Sequence, residues 1–346
     1  MGLSINEIIP RKELEVSELN GKILCVDAFN TLYQFLSSIR QPDGTPLMDN
    51  KKRITSHLSG IFYRNINLLS EGMKLVYVFD GIPPDLKWKT SRLRKEARDS
   101  AKEKYEVAKQ DENLEGMKRY GSQLIRLNEE MIEESKGLLE AMGIGVVQAP
   151  GEGEAEAAYL ARINKEVFAA VSQDYDSLLF GAPKLIRNLT LARKRKIFSG
   201  YVEIKPEIIE LEKVLNVLEI NFDQLICIGI LVGTDYNPKG VPGIGQKKAL
   251  QLVKQHKSPV LIFKSVEEKI ENLSEEDNFD WKEIFALFHK PDVKKFEIKF
   301  PKINEERIKE ILVERHDFSL ERVEKQLEKL KEIVEKQKQN SLNKWM

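Results

Sequence analysis

Cysteine is nearly missing from this sequence. Of 346 residues only two are cysteine, Cys25 in Ile-Leu-Cys-Val and Cys227 in Leu-Ile-Cys-Ile. Each apolar setting predicts a buried thiol in a reducing compartment, not a disulfide. Histidine is scarce as well, with four residues in no cluster, and no Cys/His spacing suits zinc. No apolar run approaches the roughly 18–20 residues that a membrane-spanning helix needs, and no signal peptide opens the chain. A soluble, intracellular protein with no membrane partner is expected. The opening Met1-Gly2-Leu3-Ser4-Ile5-Asn6 places Asn6 where a myristoylation signal needs Ser or Thr. Net charge is also absent: Lys+Arg and Asp+Glu both number 55. Any nucleic-acid surface must therefore come from segregated charge.

What is present is enough apolar sequence, 41% of the chain, to bury the core of one large domain or two modest ones. Short apolar runs at 22–28, 74–79, 145–148 and 167–172 read as buried parallel strands. Helical patterns alternate with them at 128–142, 152–163, 205–218 and 221–231. That alternation predicts an α/β fold with a mostly parallel central sheet flanked by helices. Two segments stand apart. Residues 85–127 carry twelve Lys/Arg against eight Asp/Glu and few β-branched residues, which predicts exposed helix inserted between sheet elements. Residues 319–346 open as an amphipathic helix with Val323, Leu327, Leu330 and Val334 on one face. They then turn polar and end in Leu342, Trp345 and Met346.

The carboxylates fall at informative places. Asp27 ends the first strand, Asp80 the second, and Asp174 and Asp176 follow the fourth. Ligands of parallel α/β sheets bind outside the carboxyl ends of the strands, so acids at three such ends should meet. Taken singly, each reads as a turn or helix-capping residue. Glu152 and Glu154 stand in the first turn of a helix behind Pro150-Gly151, on different azimuths, and Asp235 follows a glycine that stops an apolar helix. Seven carboxylates repel one another unless cations join them. Hard oxygen donors in number favour Mg²⁺ or Mn²⁺. Two divalent ions leave a residual charge that a phosphate-binding site tolerates, and such two-ion sites hydrolyse phosphodiesters in line.

These residues carry a resemblance. Val-Tyr-Val-Phe-Asp80-Gly-Ile-Pro-Pro, Glu152-Gly-Glu154-Ala, Ser-Gln-Asp174-Tyr-Asp176-Ser-Leu-Leu-Phe-Gly and Gly-Thr-Asp235-Tyr-Asn-Pro-Lys-Gly-Val-Pro-Gly-Ile-Gly together resemble the flap endonuclease family, archaeal type, over essentially the whole chain. One departure is Gly151, where a serine commonly precedes the first glutamate. The resemblance implies a 5′ nuclease (PIN-like) fold with a helical arch at 85–127 and a helix–two-turn–helix at about 223–256. It divides the chain into an N-terminal nuclease region at 1–99, an internal one at 117–262, a C-terminal helical region at 263–334 and a flexible tail at 335–346. It implies that Asp27, Asp80, Glu152 and Glu154 hold one Mg²⁺ and Asp174, Asp176 and Asp235 a second, with Mn²⁺ as a substitute. Lys87 and Arg94 then stabilise charge on the scissile phosphate.

For DNA contacts it implies Gly2, Tyr33 as a base-stacking ring, Arg40, Arg64, Glu152, Gly233, Asp235, Gly243, Gly245, Lys247 and Lys248, with a monovalent cation at the glycine-rich turn and Lys254 adding charge. Tyr33 as ordinary core and the glycine turn as a plain loop–helix junction are the other readings. Arg315 and His316 lie near the family's pocket for a one-nucleotide 3′ flap. Gln339, Leu342, Trp345 and Met346 are similar to the family's motif for the replication sliding clamp; the other reading packs Trp345 on its own domain. The implied activity is 5′ flap endonuclease and 5′–3′ exonuclease on flap, nicked or gapped DNA, in Okazaki fragment maturation and long-patch base excision repair, by a cytoplasmic monomer. The rivals are an RNA-cutting nuclease on a related acidic core and a non-catalytic DNA-binding scaffold.

Overall fold

The computed structural model describes residues 3–41, 44–121, 123–124, 126–191, 194–197 and 200–343, with side chains described in all of these except 194–197, 200–201 and 334–343. The chain forms two compact units, each assembled from three stretches of sequence. The first comprises Met1–Leu14, Val78–Arg94 and Gln148–Lys295, the second Glu15–Tyr77, Lys95–Val147 and Phe296–Met346.

The strands are β1 (Lys12–Glu13), β2 (Ile23–Asp27), β3 (Lys74–Phe79), β4 (Gly145–Gln148), β5 (Val167–Val171), β6 (Lys184–Arg187), β7 (Lys194–Ile197), β8 (Gly200–Glu203) and β9 (Glu207–Glu210). In the second unit β2, β3 and β4 are neighbours in that order. In the first, β5 lies parallel to β6 with Ala170 opposite Leu185. β9 runs antiparallel to β6 and takes β1 antiparallel on its other side. β7 and β8 form a separate antiparallel ribbon. The sheet is thus mixed. Its antiparallel edge replaces the opening turns of the helix expected at 205–218, which begins only at Leu211. Pro206 and the β-branched pair Ile208 and Ile209 explain the change. Both isoleucines are buried, and Ile208 pairs with Ile186.

Every residue of β2 is buried, as a continuous apolar run requires. It ends one residue sooner than expected, because Asp27 turns the chain into the helix Ala28–Ser38. The Asp27 carboxylate caps that helix by accepting from the Asn30 N–H at 3.0 Å. In the same unit this helix packs on Ser56–Ser70 closely enough to require Gly60, where a Cβ would lie 2.3 Å from the Phe35 ring. The helix Glu129–Ala141 starts at its Asn128 cap. In the first unit Phe222–Val232 starts at a reciprocal Asn221/Gln224 box.

The basic segment is helical as expected, as Trp88–Gln110 and Leu114–Gly121. The last helix, Leu320–Asn343, buries Val323, Leu327 and Leu330 but does not stop where a tether was expected from residue 335. Its Lys, Glu and Gln residues are good helix formers and carry the backbone on to Asn343. No single helix among the described residues is long and apolar enough to cross a membrane. The pair Leu211–Leu218 and Phe222–Val232, bent by 84°, passes only together, and the second of these is core, with Leu225, Ile226, Ile228 and Ile230 fully buried.

Candidate active site

Six of the seven predicted carboxylates lie in the first unit, where backbone hydrogen bonds fix their geometry. Asp80 leaves the end of β3, and the turn behind it is pinned by Gly81 N–H to Gly151 O at 2.6 Å and Ile82 N–H to Pro150 O at 3.0 Å. The Asp80 carboxylate accepts from Gly153 N–H at 2.7 Å. A Cβ on Gly153 would meet the same oxygen at 2.7 Å, so only glycine brings the two strand-end loops this close. Gly151 also has a packing reason, since a Cβ there would sit 3.0 Å from Asp292 O.

Glu152 stands at the N-cap of the helix Gly153–Ile163 without capping it. Its side chain turns to Lys87 on Oε1 and accepts the Tyr236 hydroxyl on Oε2. Glu154 accepts from Ser172 Oγ at 2.7 Å, and the same hydroxyl receives Asp174 N–H at 3.2 Å. Asp176 opens the short helix Asp176–Leu179 and is buried, and its Oδ1 has no hydrogen-bond partner. Asp235 receives Arg94 on both oxygens at 3.0 and 2.9 Å and Lys87 Nζ at 3.3 Å, while its carbonyl accepts the Thr90 hydroxyl. The turn that presents Asp235 depends on Gly233 at φ +115°, where a Cβ would be 2.9 Å from Pro238 O. Asn237 closes it by receiving Thr234 N–H at 3.1 Å and donating to Ile230 O at 2.7 Å.

Lys87 and Arg94 are not carried on one helix running from Asp80. Lys87 ends a single 3₁₀ turn, Asp85–Lys87, and Arg94 lies on the helix from Trp88. Their separation of seven residues still spans about two helical turns, and both reach Asp235.

The electrostatics are those of crowded buried acids. Asp176 is pushed well above the ordinary carboxylate value by burial, then by Asp235, Asp174 and Glu152. Asp174 is raised by burial and by Asp235. Asp80 is also raised by burial, with Lys87 and the Gly153 N–H opposing. Burial pulls Lys87 down, but Glu152 and Asp235 outweigh it and hold the ammonium above its usual value. Among the described residues no three acidic, histidine or cysteine side chains already form a coordination sphere. The carboxylates are instead engaged with Lys87, Arg94, Tyr236 and Ser172. The donor set nonetheless fits hard divalent cations: it is all oxygen, one buried oxygen of Asp176 is orphaned, and like charge accumulates at its neighbours.

Asp27 belongs to the second unit, at the end of β2, and is 5% exposed. Tyr33, in that unit, is 42% exposed, so it is not ordinary core. Arg40 is engaged by backbone carbonyls of Ser37, Gly44 and Gly121 at 3.2, 2.6 and 3.2 Å. Arg64 lies 6.0 Å from the Phe35 ring centroid. His316 is buried, with Nδ1 3.0 Å from Asp49 and Nε2 2.9 Å from Glu134, while Arg315 pairs with Glu310.

In the first unit Gly243 has φ +72°, Gly245 has open space around its Cα, and the helix Gln246–His256 follows. Lys247 and Lys248 are exposed there, Lys247 near Glu7 at 3.1 Å, and Lys254 pairs with Glu219 at 2.9 Å. Gly2, Trp345 and Met346, and the side chains of Gln339 and Leu342, lie outside the described residues. Sequence reasoning missed Tyr236, Ser172 and Thr90. The signal for Tyr236 was an aromatic ring directly after Asp235 in an otherwise polar turn.

Comparison with known proteins gives the class first. The XPG N-terminal domain matches residues 3–101 and the XPG I-region residues 143–235, and together with the whole-chain relatives that follow this makes the chain a structure-specific nuclease, a hydrolase. Whole-chain similarity narrows this. Flap endonuclease 1 of Thermococcus onnurineus is 52% identical over 347 residues, covering 100% of this chain and 99% of its own. That of Pyrococcus furiosus is 51% identical with the same coverage. The solved flap endonuclease-1 from Methanococcus jannaschii superposes with a TM-score of 0.73 at 38% identity, covering 97% of this chain and 100% of its own. The chain belongs to the flap endonuclease 1 family.

Proposed function

We propose that this flap endonuclease, a nuclease of DNA replication and repair, cuts 5′ flaps at the junction with duplex DNA. Its metal-binding carboxylates are Asp27, Asp80, Glu152, Glu154, Asp174, Asp176 and Asp235. The observation that carries this reading is the buried Asp176 carboxylate, with one oxygen unpartnered, among other acids, of which Asp235 is faced by Lys87 and Arg94. Two Mg²⁺, or Mn²⁺ in their place, would supply an activated water and stabilise the leaving 3′ oxygen. Asp27, Asp80, Glu152 and Glu154 would hold one ion and Asp174, Asp176 and Asp235 the other. Lys87 and Arg94 exchange their carboxylates for the scissile phosphate and stabilise its developing charge.

The helices of 85–127 form the arch through which the 5′ strand threads. Tyr33 stacks on a base, and the Gly243–Lys248 segment, with a monovalent cation, holds the duplex backbone without reading sequence. A monomer carries its replication-clamp motif at Gln339, Leu342, Trp345 and Met346. Support for that motif is the spacing, which puts the last three on one face of a helical turn.

The test is cleavage of a 5′-flap duplex with and without Mg²⁺, beside a single-stranded RNA. Flap DNA is cut only with the metal and in preference to RNA, and Asp80→Ala and Asp174→Ala abolish cleavage while still binding flap DNA. Near-normal turnover in both variants removes the carboxylate assignment.

A further inference from the structure

We propose that the Tyr236 hydroxyl is a positioning group for Glu152: it fixes the plane of that carboxylate so that one oxygen keeps its orientation toward a divalent cation when Lys87 leaves for the phosphate. The proposal rests on the ligand assignment above.

Glu152 has two partners in the structure, Lys87 on Oε1 and the Tyr236 hydroxyl on Oε2. They differ in kind. Lys87 ends a single 3₁₀ turn on a flexible stem, and its ammonium also faces Asp235 at 3.3 Å. Tyr236 is held rigidly. It is 3% exposed, its ring packs edge-on to Phe288 with centroids 5.4 Å apart, and Phe288 lies 4.9 Å from Phe180. Its backbone N–H is tied to Thr234 Oγ1 at 3.2 Å, inside the turn that Asn237 closes. A carboxylate held only by a mobile ammonium rotates freely about its last bond when that ammonium moves, because this torsion is broad. A buried phenol donating to one oxygen removes that freedom. Glu152 needs such a partner, since it sits at a helix N-cap without making the capping bond. Outer-shell hydrogen bonds of this kind orient metal-binding carboxylates and typically contribute about 10–100-fold to metal affinity or activity.

The test is Tyr236→Phe, which keeps the ring against Phe288 and removes only the hydroxyl. Mn²⁺ binding to the DNA-free protein is read by electron paramagnetic resonance, alongside thermal melting and the Mg²⁺ dependence of flap cleavage. We expect Mn²⁺ affinity at one site to fall about 10-fold or more, the Mg²⁺ needed for half-maximal rate to rise in parallel, and flap affinity in EDTA to stay unchanged. Phe288→Leu, which loosens the ring but keeps the hydroxyl, should have a much smaller effect on Mn²⁺. Unchanged Mn²⁺ affinity in Tyr236→Phe, with Glu152→Gln weakened, overturns the positioning role alone. Equal Mn²⁺ binding by the parent and Glu152→Gln overturns the ligand assignment instead. A larger loss in Phe288→Leu than in Tyr236→Phe assigns the effect to packing and also overturns the proposal.

Discussion

Replacing Asp176 by asparagine should stabilise the metal-free protein and destabilise the metal-loaded one. Without metal, Asp176 is a buried carboxylate with an unpartnered oxygen, and Asp235, Asp174 and Glu152 all oppose its charge. An amide of the same shape removes the charge and offers donors to the neighbouring acids. At pH above the raised range in which Asp176 titrates, relief of one such buried charge is of the order of 1–3 kcal/mol. For a chain of 346 residues, unfolding entropy at about 2.1 cal/mol/K per residue makes 2 kcal/mol equal to roughly 3 °C in Tm. With Mg²⁺ at a hundredfold over its Kd, the parent gains about 2.7 kcal/mol per ion, and the variant loses one such increment.

Differential scanning calorimetry in EDTA and in Mg²⁺ should therefore show the two proteins exchanging rank. The pH dependence follows the same sign. Asp80, Asp174 and Asp176 have raised values in the folded state. The folded protein therefore binds more protons than the unfolded one between the ordinary carboxylate value near 4 and those raised values. Metal-free stability should rise as pH falls through that window, and Mg²⁺ should cancel the trend. An Asp176→Asn variant that melts below the parent in EDTA refutes the reasoning, because the carboxylate would then be a net stabiliser without metal.

Lys87→Ala should lower the single-turnover rate by about 10²–10³ while changing flap affinity much less; a change confined to affinity makes Lys87 a phosphate-positioning residue only. Lys247→Ala with Lys248→Ala should weaken every duplex substrate alike and flatten the salt dependence of log K by about 0.9 per lost contact, and an unchanged slope takes both lysines out of the interface. Deleting 339–346 should remove clamp stimulation yet leave Tm and intrinsic cleavage nearly unaltered, because the buried residues Val323, Leu327 and Leu330 lie upstream; full clamp affinity after the deletion disproves the motif.

The acidic strand ends were legible because two short-range signals coincide at each, an apolar run and a carboxylate where it stops. The bounds of β3 and β4 follow directly from their apolar runs. The antiparallel β9 was hidden because Pro206 to Glu210 reads equally as the first turn of a helix. Only pairing with β6, twenty or more residues away in sequence, decides between the two. The engagement of Lys87 and Arg94 with Asp235 depends on a 3₁₀ turn that no local pattern announces. The Tyr236–Glu152 contact joins residues 84 apart in sequence, and His316 between Asp49 and Glu134 spans still longer separations. Such pairings are chosen by packing, which one sequence does not display.

The second unit has a consequence for synthesis. Its helix Ser56–Ser70 is covered by the helix from Leu320, whose buried residues Val323, Leu327 and Leu330 emerge last. At about 5–20 residues per second, the roughly 260 residues from Ser70 to Leu330 take about 13–50 s to translate. For that interval the helix Ser56–Ser70, whose buried residues include Leu58, Phe62 and Ile66, has been made while the last helix that packs on it has not. The unit cannot finish folding on the ribosome from its own N-terminal stretches. The nascent chain is therefore a natural client for chaperones that hold exposed apolar helix, and the ring closed last is the one with the greatest sequence separation.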